Sequence, residues 1–571
     1  MKTELQIIED EFFAWGFQYV SLRDSYPVVP AFEKTFSTSI GEFRVQFPIY
    51  DPSLLKLPKP FLISVPESLS NVRLPHLEGN RSICLFDQAT QNIDPLRPKA
   101  LIAACIAQVK KIIDGWVSGD NRSDIAAEFA HYWEPNRICY LLSENPQCKL
   151  YYFERKKIDN TKVTEYIVAN NIEEASKWVL KRGGDNSIKS LFEVCSTIRV
   201  VSRNPLFIPF NQLWPIETLG GVLSWLRMID SNAASNLLDK LRKESKKESK
   251  FMILINYDST YVGLRITVTP IGKASLGANL PRKSKPNQKQ IFSSLSKRHC
   301  ISKFERFYIN NALESYIFTR NNATFTGLQN KRICIVGCGT VGGYLSQGLV
   351  QSGAGTGKGE VCFYDNDTLQ PGNLSRHILG TMYLGERKSD ALKHYFLQQG
   401  LITNVKARGE FSKSDIANGW DLIIDATGNQ GFSLLLAKWH SERDKSLREL
   451  ILVHSWVSGF GHQAKALIND GSSACYACLF DYSQSLSRDR YPSFNPKNEP
   501  DVGGLFKRTC GESHLPFGPE ASMVAAALAM RLIKQDNPMQ INYLQKNISD
   551  KAKLYPEKRI RPMRHCPICQ K

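Results

Sequence analysis

Residues 331–336, reading KRICIV, form an apolar run of strand character. The segment Gly337-Cys338-Gly339-Thr340-Val341-Gly342 carries it directly into a helical pattern over 341–351. This strand–glycine–helix succession constrains the chain more than any other feature. A strand that turns straight into a helix returns alongside itself by a right-handed crossover, and such units build a parallel sheet. Two later segments repeat the pattern. A strand is predicted over 360–364, ending at Asp365-Asn366-Asp367, and another over 420–424, ending at Asp425-Ala426-Thr427-Gly428-Asn429. Residues 311–571 are therefore expected to form an α/β domain with its site at the carboxyl edge of the sheet. The pattern G-x-G-x-x-G permits a tight turn and close backbone approach, and the helix N-terminus favours phosphate, so Gly337, Gly339 and Gly342 are nucleotide-binding candidates. Alone the motif says only "nucleotide", and a dinucleotide-dependent oxidoreductase also fits it. Asp365, at the end of the next strand, suits a ribose hydroxyl in either case.

The chain has 571 residues, 42% of them hydrophobic, which excludes wholesale disorder and is read as three domains. Residues 1–150 read as α+β. A helical pattern (Leu5, Ile8, Phe12, Phe13) precedes strands over 43–47 and 61–65. A periodic helix over 99–116 then sets Leu101, Ile102, Cys105, Ile106, Val109, Ile112 and Ile113 along one side. Residues 151–310 read as a mixed α/β linker domain, with strands around 150–153, 251–255 and 264–268 and no visible chemistry. Its two basic runs, 240–250 and 281–289, read as a solvated helix face and a mobile loop; neither interleaves aromatics as a base-stacking surface would. The formal net charge of +18 speaks to solubility and partners, and nucleic acid is not the expected partner. The N-terminus lacks a secretory apolar region, and no run of about 18 apolar residues exists, so neither export nor a membrane helix is expected. In a reducing cytoplasm the fourteen cysteines serve as core residues, metal ligands or nucleophiles more readily than as disulfides.

Two pairs, Cys475-x-x-Cys478 and Cys566-x-x-Cys569, each offer two thiolates from a tight turn, and together they complete a tetrahedral zinc shell. With no position left for water such a site is structural, tying the C-terminal tail back to the domain; disulfides or unrelated thiols are the competing readings. Cys510 lies in the polar, glycine-containing segment KRTCGESHLPFGPE, before a helix predicted over 520–533. Lys507, Arg508 and the helix N-terminus there favour thiolate. Cys84 follows the N-terminal strands and precedes the 99–116 helix, with a buried core thiol as its competing reading. Cys105 and Cys334 fall on apolar faces and read as core.

Beyond Asp365 the run D-N-D-T-L-Q-P-G-N-L-S-R-H, followed by Gly385-Glu386-Arg387-Lys388, resembles the ThiF/MoeB and ubiquitin-activating-enzyme superfamily from about residue 311 to the C-terminus. The resemblance implies a Rossmann-like adenylation domain that uses ATP and Mg2+ to activate a C-terminal carboxylate. It implies that Asp365 holds the ribose, that Asn373, Arg376 and Lys388 contact the phosphates, that the cysteine pairs bind Zn2+, and that Cys510 in the crossover loop takes the acyl group as a thioester. One departure concerns magnesium: where the family reads D-x-T-D-N, this chain has Gly428, leaving Asp425 or Asp367 as substitutes. The superfamily dimerises and lends an arginine across the interface, for which Arg320 is the candidate. Residues 1–150 resemble, by I-C-L at Cys84 and by element order, the ubiquitin-conjugating-enzyme core. His76 stands where that family has Asn and is expected to polarise the thioester carbonyl. Together the halves resemble the fused enzymes of bacterial anti-phage CBASS operons, the CD-NTase-associated ubiquitin-transferase-like family. That resemblance implies a CD-NTase C-terminus as partner, a lysine-bearing target, and a homodimer. Two alternatives remain: a sulfur-carrier adenylyltransferase with an unrelated N-terminal half, and a basic nucleic-acid-binding scaffold.

Overall fold

The computed structural model describes residues 3–22, 29–70, 72–86, 94–120, 124, 129–156, 162–181, 191–209, 214–277, 287–320, 327–444, 449–483, 487–494, 506–509, 512–514, 517–535, 541–553 and 555–569. The chain divides into two compact units, residues 1–180 with 184–311 and residues 181–183 with 312–571. Among the described residues no helix is long and apolar enough to cross a membrane.

The first unit opens with the helix Glu4–Ala14, whose start is fixed by a reciprocal capping box between Thr3 and Gln6. Four antiparallel strands follow, Gln18–Leu22, Val29–Thr38, Gly41–Pro48 and Phe61–Ser64, adjacent in space in the order of the chain. Along Gly41–Pro48 the side chains of Phe43, Val45 and Phe47 are buried while Glu42 and Arg44 are exposed, the period-2 pattern of a sheet covered on one face. The helix Pro98–Ser118 starts on proline and stops at Gly119, whose φ of 83° is left-handed, and it buries Ile102, Cys105, Ile106, Val109, Ile112, Ile113 and Trp116. These are the residues its periodicity marks out, except that Leu101 is only partly buried and Trp116 joins the buried face.

A closed seven-stranded barrel completes this unit. Its strands, in spatial order, are Thr260–Val268, Ile301–Asn311, Arg137–Leu141, Lys162–Ala169, Lys149–Lys156, Leu191–Val201 and Lys250–Tyr257. Closure leaves no sheet edge open. Arg137–Leu141, inside the first sequence block, pairs only with barrel strands, so the sheet changes before residue 150. Phe129, Trp133, Trp214 and Trp225 stack beside the barrel, with Phe129 and Trp225 rings 5.5 Å apart, and Trp133 Nε1 donates to the Gly263 carbonyl at 3.0 Å. The 240–250 run is not a uniform solvated face. It begins in the helix Ser231–Glu244, where Leu241 is buried and Lys240 Nζ donates to the Arg199 carbonyl at 2.7 Å, and it ends in a barrel strand. In the second run, residues 281–286 lie outside the described residues, and 288–289 begin the helix Gln288–Leu295.

The second unit is built on a seven-stranded sheet in the order Val405–Arg408, Glu360–Tyr364, Arg332–Val336, Leu422–Asp425, Ile451–Ser458, Gln463–Asn469 and Tyr543–Asn547. The first five strands are parallel and the last two antiparallel. Strand order reverses at Arg332–Val336, so a crevice opens at its carboxyl end, where the glycine turn lies. At that edge Asp425 pairs in register with His454 of the neighbouring strand. Asp425 Oδ2 accepts from Ser433 Oγ at 2.5 Å and lies 2.8 Å from His454 Nδ1, while Oδ1 accepts from the Thr427 amide at 3.0 Å and its hydroxyl at 2.7 Å. Burial pushes this carboxyl up, but the hydrogen bonds and the attraction of His454 outweigh it and hold it below the usual carboxylate range. A carboxyl held low stabilises the fold fully above about pH 4 and ceases to do so as pH falls through its folded-state value. Asp425→Asn is expected to cost about 3–5 kcal/mol near neutrality. Urea unfolding of wild type and variant, followed from about pH 7 down to about pH 3, should show the gap closing with acid; a gap independent of pH contradicts this account.

Candidate active sites

The glycine turn works by contact as well as by conformation. Gly337 has φ 88°, and a Cβ on it would meet the Thr427 amide nitrogen at 2.7 Å; a Cβ on Gly342 would meet the Gly337 carbonyl at 2.0 Å. Gly339, by contrast, faces open space and caps the helix Thr340–Gln351 with no side-chain bond, so that helix's first amides point outward without a protein cap. The cleft here, about 630 Å³, is lined by Gly337, Gly339, Asp365, Asp367, Lys388 and Thr427 among others. Asp365 Oδ2 accepts from the Cys338 amide at 2.6 Å and Oδ1 from the Asp367 amide at 2.8 Å, which pins the strand end to the glycine turn. The Lys388 side chain is 12% exposed and its Nζ lies 3.1 Å from Asp367 Oδ2. An anion-accepting helix end, a largely buried cation and a ribose-type carboxylate therefore meet in one cleft, an arrangement that fits a nucleoside triphosphate.

The other residues singled out from the sequence are placed differently. Asn373 caps its own turn, its Oδ1 accepting from the Gln370 amide at 3.0 Å, and the Arg376 guanidinium lies 4.6 Å over the Phe517 ring; neither lines the cleft. Asp425 is turned into the core as described and does not line it either. Asp367 does border the cleft, and Gly428, at φ 65°, has nothing within 4 Å of a Cβ built on it. One cleft carboxylate with substrate phosphates suits Mg2+, which keeps waters and asks few protein ligands. Arg320 is exposed, its guanidinium 5.8 Å over the Tyr316 ring, apart from the cleft of its own chain. The cleft's apolar wall (Phe411, Phe432, Leu435 and Trp439) went unrecognised in the sequence, although the spacing of the last three on the helix Gln430–Ser441 was the available signal.

Cys84 is partly exposed and borders a pocket of about 460 Å³ with Ile49, Tyr50, Leu57 and Phe86. An antiparallel bridge joins Leu77 to Ile83, and the Cys84 amide donates to the His76 carbonyl at 2.8 Å, so His76 and Cys84 stand opposite one another. His76 adopts φ 61°, a left-handed conformation held by its amide donating to the Tyr132 hydroxyl at 2.8 Å. Its Nε2 lies 3.0 Å from Asp124 Oδ2, a partner the sequence did not suggest. Cys105 and Cys334 are fully buried core thiols, and burial pushes Cys105 up to about 12. Cys510 lies outside the described residues, between the paired strands Phe506–Thr509 and Glu512–His514.

The four cysteines of the two C-x-x-C pairs converge. Their sulfurs lie within 4.8 Å of one another, with Cys475 to Cys566 and Cys478 to Cys569 both at 3.6 Å and Cys475 to Cys478 at 4.0 Å. A tetrahedron of sulfurs about 2.3 Å from zinc has edges of about 3.8 Å, so the spacing fits that metal. The amides of Met563 and Cys569 donate to Cys478 and Cys566 sulfurs at 3.4 Å, the outer support expected around thiolates.

Comparison with known proteins separates the two halves and then joins them. The ThiF family matches residues 318–560, and Prokaryotic E2 family B matches residues 24–141. The ATP-dependent ubiquitin transferase-like protein Cap2 of Vibrio cholerae serotype O1 is 27% identical over 94% of this chain and 93% of its own length. Cap2 of Escherichia coli strain TW11681 is 25% identical over the same shares. The adenylyltransferase and sulfurtransferase UBA4 of Yarrowia lipolytica, 24% identical, matches over only 36% of this chain and 46% of its own length. The chain is an enzyme of adenylation chemistry and, along nearly its whole length, a homologue of the Cap2 ubiquitin transferase-like proteins, with an E2-like and a ThiF-type region in one polypeptide.

Proposed function

We propose that this enzyme activates the C-terminal carboxylate of a partner protein with ATP, carries it as a thioester on Cys510 and then Cys84, and ligates it to an amine, a lysine side chain on a target. The observation that carries the reading is a cleft whose lining fits a nucleoside triphosphate and a partly exposed Cys84 backbone-bonded to His76, on one chain. In the cleft, Lys388 and the amides after Gly339 offset charge on the triphosphate while the carboxylate attacks the α-phosphorus and pyrophosphate leaves. Magnesium bound through Asp367 would neutralise phosphate charge. Cys510 then displaces AMP, and Cys84 takes the acyl group. Support for a CD-NTase as partner, and for CBASS anti-phage defence in the cytoplasm, is the likeness to the fused enzymes; the same likeness supports a homodimer in which Arg320 reaches the partner's cleft. Domains over 1–150, 151–310 and 311–571 would divide the work into transfer, docking and adenylation.

Three experiments test it. Lys388→Ala should lower ATP–pyrophosphate exchange, measured with a co-encoded nucleotidyltransferase, by about 100-fold, and unchanged exchange contradicts the assigned role. On non-reducing gels with ATP, Mg2+ and that partner, a thiol-sensitive adduct should vanish in Cys510→Ala and build up on Cys510 in Cys84→Ala. Product formation that survives Cys84→Ala would favour a sulfur-carrier adenylyltransferase. Stripping the tetracysteine cluster with a chelator should release about one zinc per chain and lower the midpoint of thermal unfolding; a chain that yields no metal overturns the zinc assignment.

A further inference from the structure

The His76–Asp124 contact gives the Cys84 site a direction that the sequence did not. A carboxylate only accepts hydrogen bonds, so His76 Nε2 is the donor in this pair and Nδ1 is left as the ring nitrogen that can accept a proton. The backbone is clamped on both sides of the ring, by the Tyr132 hydroxyl and by the Cys84 amide, each at 2.8 Å. The charged groups nearby have other partners. Arg73 pairs with Glu134 at 3.4 Å and lies 5.3 Å over the Tyr132 ring; Lys59 pairs with Glu78 at 2.8 Å; Asp51 accepts from Ser53 and from the Lys56 amide. Among the described residues, Asp124 is the carboxylate that meets the His76 ring.

We infer that Asp124 is the positioning residue of a Cys84–His76–Asp124 relay, in which His76 acts as a base rather than as the oxyanion donor of an E2-type site. The inference rests on the reading of Cys84 as an acyl carrier. His76 Nδ1 takes the Cys84 thiol proton, and the thiolate attacks the acyl carbon. A new C–S bond forms, the bond to the donor sulfur breaks, and the imidazolium returns the proton to the departing thiolate. When an amine then attacks, the C–N bond forms and the bond to Cys84 breaks. The ammonium proton passes to His76 and from there to the Cys84 thiolate. Asp124 stays ionised throughout and steadies the imidazolium in the orientation that makes each transfer possible.

Alkylation by iodoacetamide tests this on the full chain without ATP or partner, with the Cys84 peptide followed by mass spectrometry. Near pH 7, His76→Gln and Asp124→Asn should each slow alkylation of Cys84 by about tenfold, Asp124→Glu should retain most of the rate, and all should converge with wild type near pH 9.5, where thiols ionise unaided. No loss near pH 7, a loss of equal size at both pH values, or a loss in His76→Gln with Asp124→Asn unchanged overturns the relay. Because alkylation needs neither adenylation nor a partner, its outcome and that of the thioester gels can fail separately.

Discussion

The cleft at the carboxyl edge of the sheet depends on one close approach, that of the helix Thr340–Gln351 to the end of the strand Arg332–Val336. Gly342 lies so near the Gly337 carbonyl, and Gly337 so near the Thr427 amide, that a single methyl group at either position would force backbone apart. This packing draws the helix N-terminus to the crevice where strand order reverses. Asp365, bonding the amides of Cys338 and Asp367, ties the neighbouring strand end to the same turn. Lys388 follows as the first residue of the next helix, its amide donating to the Asp367 carbonyl at 2.8 Å. The placing of Lys388, Asp365 and the N-terminus of the helix Thr340–Gln351 around one cleft thus follows from one steric condition.

Cysteine chemistry in this chain is set by surroundings more than by residue type. Cys105 and Cys334 pack among aliphatic side chains, where a thiolate would be poorly solvated, and they serve as small apolar residues. Cys475, Cys478 and Cys566 are buried and Cys569 partly so, yet the four face one another with amides directed at sulfur, an arrangement that could hold a metal ion. Cys84 has neither surrounding. It sits at the rim of a pocket, its amide bonded to the His76 carbonyl, and the His76 imidazole meets a carboxylate.

Much of the architecture was legible in the sequence because its signals are local. The glycine turn, the strand 360–364, the one-sided helix over 99–116 and the cysteine pairs all declare themselves within a few residues, and the structure has an element at each. Features that depend on pairing across the chain were not legible. Arg137–Leu141 lies within the first block, but its neighbours Ile301–Asn311 and Lys162–Ala169 come from far along the chain, and only barrel closure recruits it. Asp425 has the strand-end position of a ligand, yet its register with His454 turns the carboxylate inward.

His76 and Asp124 sharpen that distinction. A histidine upstream of a cysteine is visible in one dimension, and so is the missing Asn of an E2-type site. What the ring does there depends on which of its nitrogens is free, and that is decided by a carboxylate beyond the 99–116 helix. An amide side chain in this position can only stabilise an oxyanion, because its NH2 offers no basic lone pair. An imidazole with a carboxylate at Nε2 offers a basic nitrogen instead, and at His76 it is carried on a left-handed backbone. On the proposed relay, His in place of Asn would move the site from charge stabilisation to proton transfer only with the third residue present, and Asp124 would be the determinant of the change.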